Sequence, residues 1–268
     1  MMKFTKSAVL ALCGAASLSL AGCQKQEEAA AKPELSAETI SQIKALGFGT
    51  ADAKAVEGGV LVEGDILLTP EVLASKADYN MLRVGDDEQY RTTNVVSVGS
   101  GRTINVAIST SLPSTYVAAV DEAIRRFNAE GLLLRYRRVS SGYNTLLTAA
   151  PSGSTYLASA GFPSGGNPFS SVKVNVGAIG SNPNTNYLAT ILAHELGHTI
   201  GFRHTDYADR SYSCGGAYTN EGASDVGAIL IPGTPSGPDP NSWMLACIGT
   251  GANRYFNTND RTALRYIY

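Results

Sequence analysis

HELGHTIGFRH, residues 194–204, contains all three histidines of the 268-residue chain. His194 and His198 are four positions apart, so on an α-helix they stand on one face and can reach the same ion. Glu195 is turned about 100° from His194, which keeps it out of a shared coordination sphere but lets it lean over the open side of a bound ion. If the helix continued, His204 would fall about 240° around from His198, on the wrong face. Gly201 resolves this, because glycine accepts positive φ, ends the helix and lets the chain swing back to bring His204 in from another direction. Three neutral imidazoles leave zinc its full charge and a fourth, open position, which is the catalytic rather than the structural arrangement. The pattern nominates His194, His198 and His204 as Zn²⁺ ligands and Glu195 as a general base.

Composition agrees with a globular chain that can bury a core: 44% of residues are hydrophobic, 16% are charged, and the formal net charge is -2. With no basic run and a sequence pI of about 5.9, nucleic acid is excluded as a partner. The N-terminus carries an export signal: Lys3 and Lys6 precede an apolar stretch, Ser7 to Leu20, too short to favour a permanent span. Leu20-Ala21-Gly22-Cys23 resembles a bacterial lipobox. That resemblance implies a signal over 1–22, an acylated Cys23, a tether over 23–33, and a place in the cell envelope as a membrane-anchored lipoprotein. Gln24 after the cysteine points to the outer membrane or cell surface. In an oxidising envelope Cys214 and Cys247 are expected to pair.

Beyond the tether, a short amphipathic helix from Ser36 stops at Gly47, followed by strand-like Val60-Leu61-Val62 and Ile66-Leu67-Leu68 broken at Gly64-Asp65. Gly85 to Arg102 is polar and turn-rich, so residues 34–102 are expected to be a propeptide-like region with its linker, and 103–268 the main domain. There the expected order is strand (103–108), helix (114–128), strand (132–139), strands near 155–160 and 171–176, the histidine helix (186–199), a loop of some fifty residues and a last helix from about Asp260. Strands mixed with helices predict an α/β (α+β) domain with a mixed twisted sheet.

H-E-x-x-H-x-x-G-x-x-H resembles the metzincin clan of zinc endopeptidases. Clan members carry a methionine in a tight turn beneath the metal, which places Met244 of Ser242-Trp243-Met244 as a packing support. His194 to Asp206, with Ile231-Pro232-Gly233-Thr234-Pro235 and the Ser242-Trp243-Met244 turn, looks like the dual-action HEIGH metallopeptidases, with Leu196 replacing the isoleucine of the name. The resemblance implies hydrolysis of peptide or protein substrates, and an upper-rim strand near Ser171 to Val176 that aligns substrate. Ala246 stands where astacins and serralysins have a tyrosine, leaving Tyr207 or Tyr212 as oxyanion donors, and Asp206 is a candidate to orient a ligand.

Three alternatives stay open. Asn220 to Asp225 resembles the N-E-x-x-S-D segment with which thermolysin-like gluzincins supply a glutamate ligand, which would make Glu221 the third ligand and His204 a bystander. Val62-Glu63-Gly64-Asp65 is similar to the F-x-G-D element of astacin propeptides, making Asp65 a candidate latency switch on the open metal position, or else one residue of a plain turn. Lastly, the zinc site could be non-catalytic, in a surface lipoprotein with a binding or adhesion role. The lipobox carries its own test: Cys23→Ser is expected to move the protein from the membrane fraction to the soluble fraction, and unchanged partitioning would remove the anchor.

Overall fold

The computed structural model describes residues 34–46, 48–74, 89–222, 227–235 and 237–268. The export signal, Cys23 and the tether lie outside them. In chain order the elements are α1 (Ala37–Ala45), β1 (Lys54–Val56), β2 (Gly59–Val62), β3 (Ile66–Leu68), α2 (Pro70–Leu73), β4 (Tyr90–Arg91), β5 (Arg102–Ile108), α3 (Tyr116–Ala129), β6 (Leu134–Arg138), β7 (Thr145–Ala149), β8 (Ala158–Ala160), β9 (Ser171–Val174), α4 (Val176–Ile179), α5 (Thr185–Ile200), α6 (Ser211–Cys214), β10 (Ile229–Leu230) and α7 (Thr258–Ile267).

A mixed sheet runs in the order β1-β2-β3-β8-β9-β7-β5-β6. β5 is parallel to β6 and β7, and β7 is parallel to β9. The β5-to-β6 connection is α3, the helical crossover that parallel pairing requires. α3 is amphipathic and buries Ala119, Ala123 and Phe127 against a core shared with Ile104 and Val106 of β5 and Leu188, Leu192 and Leu196 of α5. The fold is thus the expected mixed α/β arrangement, with the histidine helix in its core. β7 was not anticipated, because its Thr-Leu-Leu-Thr-Ala run is too short to show a period.

Two expectations are corrected. Ser171 to Val176 is not a rim strand: β9 lies inside the sheet between β7 and β8, and Val176 already starts α4. β8, antiparallel to β9, is the strand nearer the histidines, and its outer edge is taken by β3, parallel to it at Ile66 and Ala160. The second correction concerns the linker. From Gln89 on, Gly85 to Arg102 is built into the main body: β4 pairs with β10, Thr92 donates its N–H to Gly201, and Val96 joins the main core. The region before it has its own small core of Ile43, Leu46, Phe48, Val60, Val62, Ile66 and Leu68, with Phe162 packed against it.

Asp260 explains why Gln89 matters. Asn257 caps α7 and Asp260 completes a capping box. The buried Asp260 carboxylate also accepts from Gln89 Nε2 (2.7 Å), Ser242 Oγ (2.9 Å) and the Trp243 N–H (3.3 Å). One side chain thereby joins the last helix, the methionine turn and the segment before β4. A chain begun at Thr103 loses Gln89 and Val96. It is expected to be less stable than one begun at Gln89 by on the order of 4 kcal/mol, from unmade buried hydrogen bonds and a vacated core position. Urea unfolding of the two would check this, and equal midpoints would restore residues 89–102 as a linker.

Candidate metal centre

α5 starts at Asn184, whose side chain accepts from the N–H groups of Asn186 and Tyr187, and every residue from Tyr187 to Ile200 is buried. A helix buried all round belongs in a core, and His194, Glu195 and His198 are its only imidazole or carboxylate side chains. Gly201 ends it at φ 111°, with Gly201 N–H on the His198 carbonyl and Phe202 N–H on the Gly197 carbonyl, a Schellman closure. A Cβ there would also sit 2.9 Å from Thr92 Oγ1 and 3.0 Å from Asn94 O. The reversed chain is held at once: Arg203 N–H donates to Tyr90 O, and Thr205 N–H to Met244 O, both at 2.9 Å.

The reversal brings the three rings together. Their Nε2 atoms are 3.0 Å (His194 to His198), 3.2 Å (His198 to His204) and 3.3 Å (His194 to His204) apart. Each Nδ1 faces an acceptor: Trp243 O at 3.0 Å for His194, Phe202 O at 2.8 Å for His198 and Glu221 Oε1 at 2.8 Å for His204. Each ring therefore carries its proton on Nδ1 and turns an Nε2 lone pair to the common point. Three converging lone pairs repel unless a cation stands among them. The spacing fits one, since ligands about 2.0–2.1 Å from a tetrahedral zinc are about 3.3 Å from each other.

Met244 lies beneath, fully buried. A Cβ on Gly197 would come within 2.4 Å of the Trp243 ring and 2.8 Å of Met244 Sδ, so the second x of H-E-x-x-H is a glycine because the methionine turn packs there. Trp243 is wedged edge-on against Phe127, Phe202 and Phe256, which fixes the carbonyl that holds His194.

Glu195 is buried, and its Oε2 has no partner among the described residues. Burial, then the charge of Asp65, push its carboxyl well above the usual range. Asp65 stands over the cluster, with Oδ2 3.2 Å from His204 Nε2 and 3.4 Å from His194 Nε2. Its backbone is pinned to the sheet, because Ala160 N–H donates to Asp65 O at 3.0 Å. Residue by residue, the turn Glu63-Gly64-Asp65 is clamped from the histidine side. Arg203 binds Glu63 through both carboxylate oxygens (2.9 and 3.2 Å), and its guanidinium lies on the Phe48 and Tyr207 rings. Arg210 joins Asp52 (3.0 Å) to Glu221 (3.1 Å).

The remaining predicted residues are placed otherwise. Glu221, the alternative third ligand, stands not at the point that the Nε2 atoms share but behind His204, where its Oε1 faces Nδ1 at 2.8 Å. Its signal, an Asn-Glu pair in the sequence, was visible, but its role depends on which face of His204 it meets. Asp206 orients no histidine: it is buried and accepts from Ser213 Oγ (2.5 Å) and the Ala246 N–H (2.9 Å). Tyr207 packs edge-on to Tyr90, and Tyr212 donates to Pro238 O; neither lines the cavity at the cluster. Cys214 and Cys247 are bridged, closing the 33-residue span between them. A cavity of about 290 Å³ opens beside His194 and Glu195, walled by Asp65, Tyr156, Arg210 and Arg254 among others.

The model of the dual-action HEIGH metallo-peptidase family matches residues 60–268, most of the chain and all of the site, so its class is that of a metallopeptidase. The chain belongs to the dual-action HEIGH metallo-peptidase family. No curated protein matches it. Among solved structures it is similar to myroilysin, at 16% identity over 66% of this chain and 97% of that one, with a TM-score of 0.43. It is also similar to high choriolytic enzyme 1, a hatching enzyme zinc-protease from Oryzias latipes (medaka), at 14% identity over 70% and 98%, TM-score 0.38.

The hydrogen bond to His204 ranks the two candidate third ligands. His204→Ala is expected to abolish stoichiometric zinc binding, whereas Glu221→Ala, which removes only support behind a ligand, weakens it about 10- to 100-fold. Zinc titration against a competing chelator measures both, and the opposite ranking would return Glu221 to the coordination sphere.

Proposed function

We propose that this chain is an exported, lipid-anchored, zinc-dependent endopeptidase, in which His194, His198 and His204 hold zinc and Glu195 is the general base. The observation that carries this reading is the convergence of three Nε2 lone pairs beside an unpartnered, buried carboxylate that opens on a cavity. A zinc ion bound there supplies a Lewis acid for the scissile carbonyl and makes nearby water more acidic. Glu195 takes the proton of the attacking water and returns it to the departing amine nitrogen, from a buried position whose Oε2 has no partner among the described residues. Trp243 O, Phe202 O and Glu221 keep the three imidazoles in the Nδ1–H tautomer throughout. Met244 and Trp243 hold the floor against α5.

Asp65 supports a latent state of the same enzyme. It stands where a fourth ligand would, and β3 behind it takes the edge of β8 along which a substrate strand would pair. The same position favours a second reading, because a structural zinc is closed by a fourth protein ligand. The two part at one substitution. As a latch, Asp65→Ala raises peptidase activity of the full chain with zinc retained; as a structural ligand, it lowers zinc affinity and yields no activity.

Cleavage of a peptide library, followed by mass spectrometry with zinc content checked, tests the chemistry. Glu195→Gln is expected to keep its zinc and lose about 10²- to 10⁴-fold or more in turnover. Turnover within a few-fold of the unsubstituted chain would remove Glu195 from the mechanism.

A further inference from the structure

Arg254 is a wall of the cavity beside the histidines and is not used by the chemistry above. Its backbone is bolted in place from both sides: its N–H donates to Thr190 Oγ1 (3.1 Å), and its carbonyl accepts from Arg126 Nη1 (3.0 Å). Thr190 lies one helical turn before His194 on the same face of α5, so the register of Arg254 is tied to that of the cluster. Among the described residues the guanidinium makes one hydrogen bond, from Nη1 to Cys247 O at 3.1 Å, which leaves most of its five donors unspent. No ion pair to it occurs among the described residues.

The carboxylates that feel its charge are committed elsewhere. Asp206 serves Ser213 and Ala246, and Asp260 serves Gln89, Ser242 and Trp243. The other arginine of the wall, Arg210, is paired with Asp52 and Glu221. Arg254 is therefore the arginine of this wall that has no carboxylate within ion-pair distance among the described residues, Asp206 and Asp260 acting on it only from farther away, in a half-enclosed place where a charge-assisted pair gains strength.

We propose that Arg254 is a specificity-determining residue of this site, binding a carboxylate carried by the substrate residue that enters the cavity. The carboxylate is either an acidic side chain or a free C-terminus, and a planar guanidinium with unspent donors suits both equally. The assignment rests on the peptidase reading for its consequence in catalysis, but not for binding.

The test uses the full chain carrying Asp65→Ala, with position 254 as Arg, Lys, Gln or Glu, on peptides that vary one position at a time and end in either a carboxylate or an amide. Melting temperature and zinc content establish that each variant is folded and loaded. With Arg254, peptides offering an acidic group are expected to be cleaved about 10- to 100-fold more efficiently in kcat/KM than their amide counterparts. Arg254→Lys should keep most of this preference, Arg254→Gln should lose it, and Arg254→Glu should turn it toward Lys and Arg. Persistence of the preference in C-terminally amidated peptides assigns it to a side chain; its disappearance assigns it to the C-terminus. A preference absent from the Arg254 form, or the same in all four, would overturn the proposal.

A binding arm separates this from failure of the peptidase reading. Fluorescent peptides bound by the Asp65→Ala, Glu195→Gln chain, read by polarisation, should show the same dependence on charge and on position 254 even where no form cleaves. Equal binding of acidic and amide peptides would overturn the assignment whatever the activity.

Discussion

Three imidazoles can aim their lone pairs at one point only if each places its proton on the far nitrogen, and the far nitrogens need acceptors fixed in space. That requirement organises the site. It calls for a carbonyl in the methionine turn, a carbonyl just past the end of α5, and a carboxylate on a loop, and each is held by something larger: Trp243 by an aromatic cluster, Phe202 by the glycine closure, Glu221 by two arginines. Two glycines make the approach possible, one by its positive φ and one by its missing side chain. A binding point made of side chains is thus built on backbone.

The charges around it form a layered arrangement rather than scattered pairs. Asp65 faces the cluster, Glu221 backs it, and Glu63, whose carboxyl burial and the charge of Glu221 push well above the usual range, lies beyond on Arg203. Buried pairs of this kind contribute little net stability compared with apolar packing, but losing one partner is expensive. Their value here is positional. The histidine-bearing segment and the 63–65 turn are fixed to each other by groups that neither can leave unpaired.

Much of this was legible from eleven residues. Spacing put His194 and His198 on one face, and the glycine at 201 implied the return of His204, because both follow from helical geometry and the steric allowance of glycine alone. α3 and the strands expected at 103–108 and 171–176 showed their periods, and the histidine spacing marked α5. What stayed hidden depends on distance in space rather than in sequence. Nothing local says that Gln89 meets Asp260, that residues after 88 join the main body, or that β3 crosses onto β8. Glu221 shows the difference well: its chemistry was readable and its role was not, since ligand and ligand support differ only in which nitrogen of His204 is faced. Gly197 carries no local signal either, because the tryptophan it makes room for comes from a turn more than forty residues away.

The Arg203–Glu63 pair changes what cutting the chain would accomplish. The stretch from α1 to α2 is held to the rest by a buried bidentate ion pair, by strand pairing to β8, by Arg210 on Asp52, and by Phe162 packed on its small core. Severing the backbone between the two parts breaks none of these. A nicked protein would remain a complex of two fragments, and departure of the shorter one would take from the buried Arg203 guanidinium both its Glu63 partner and the Phe48 ring it lies on. Release then becomes a question of destroying the fragment, by cuts within β2 and β3 themselves, rather than of detaching it.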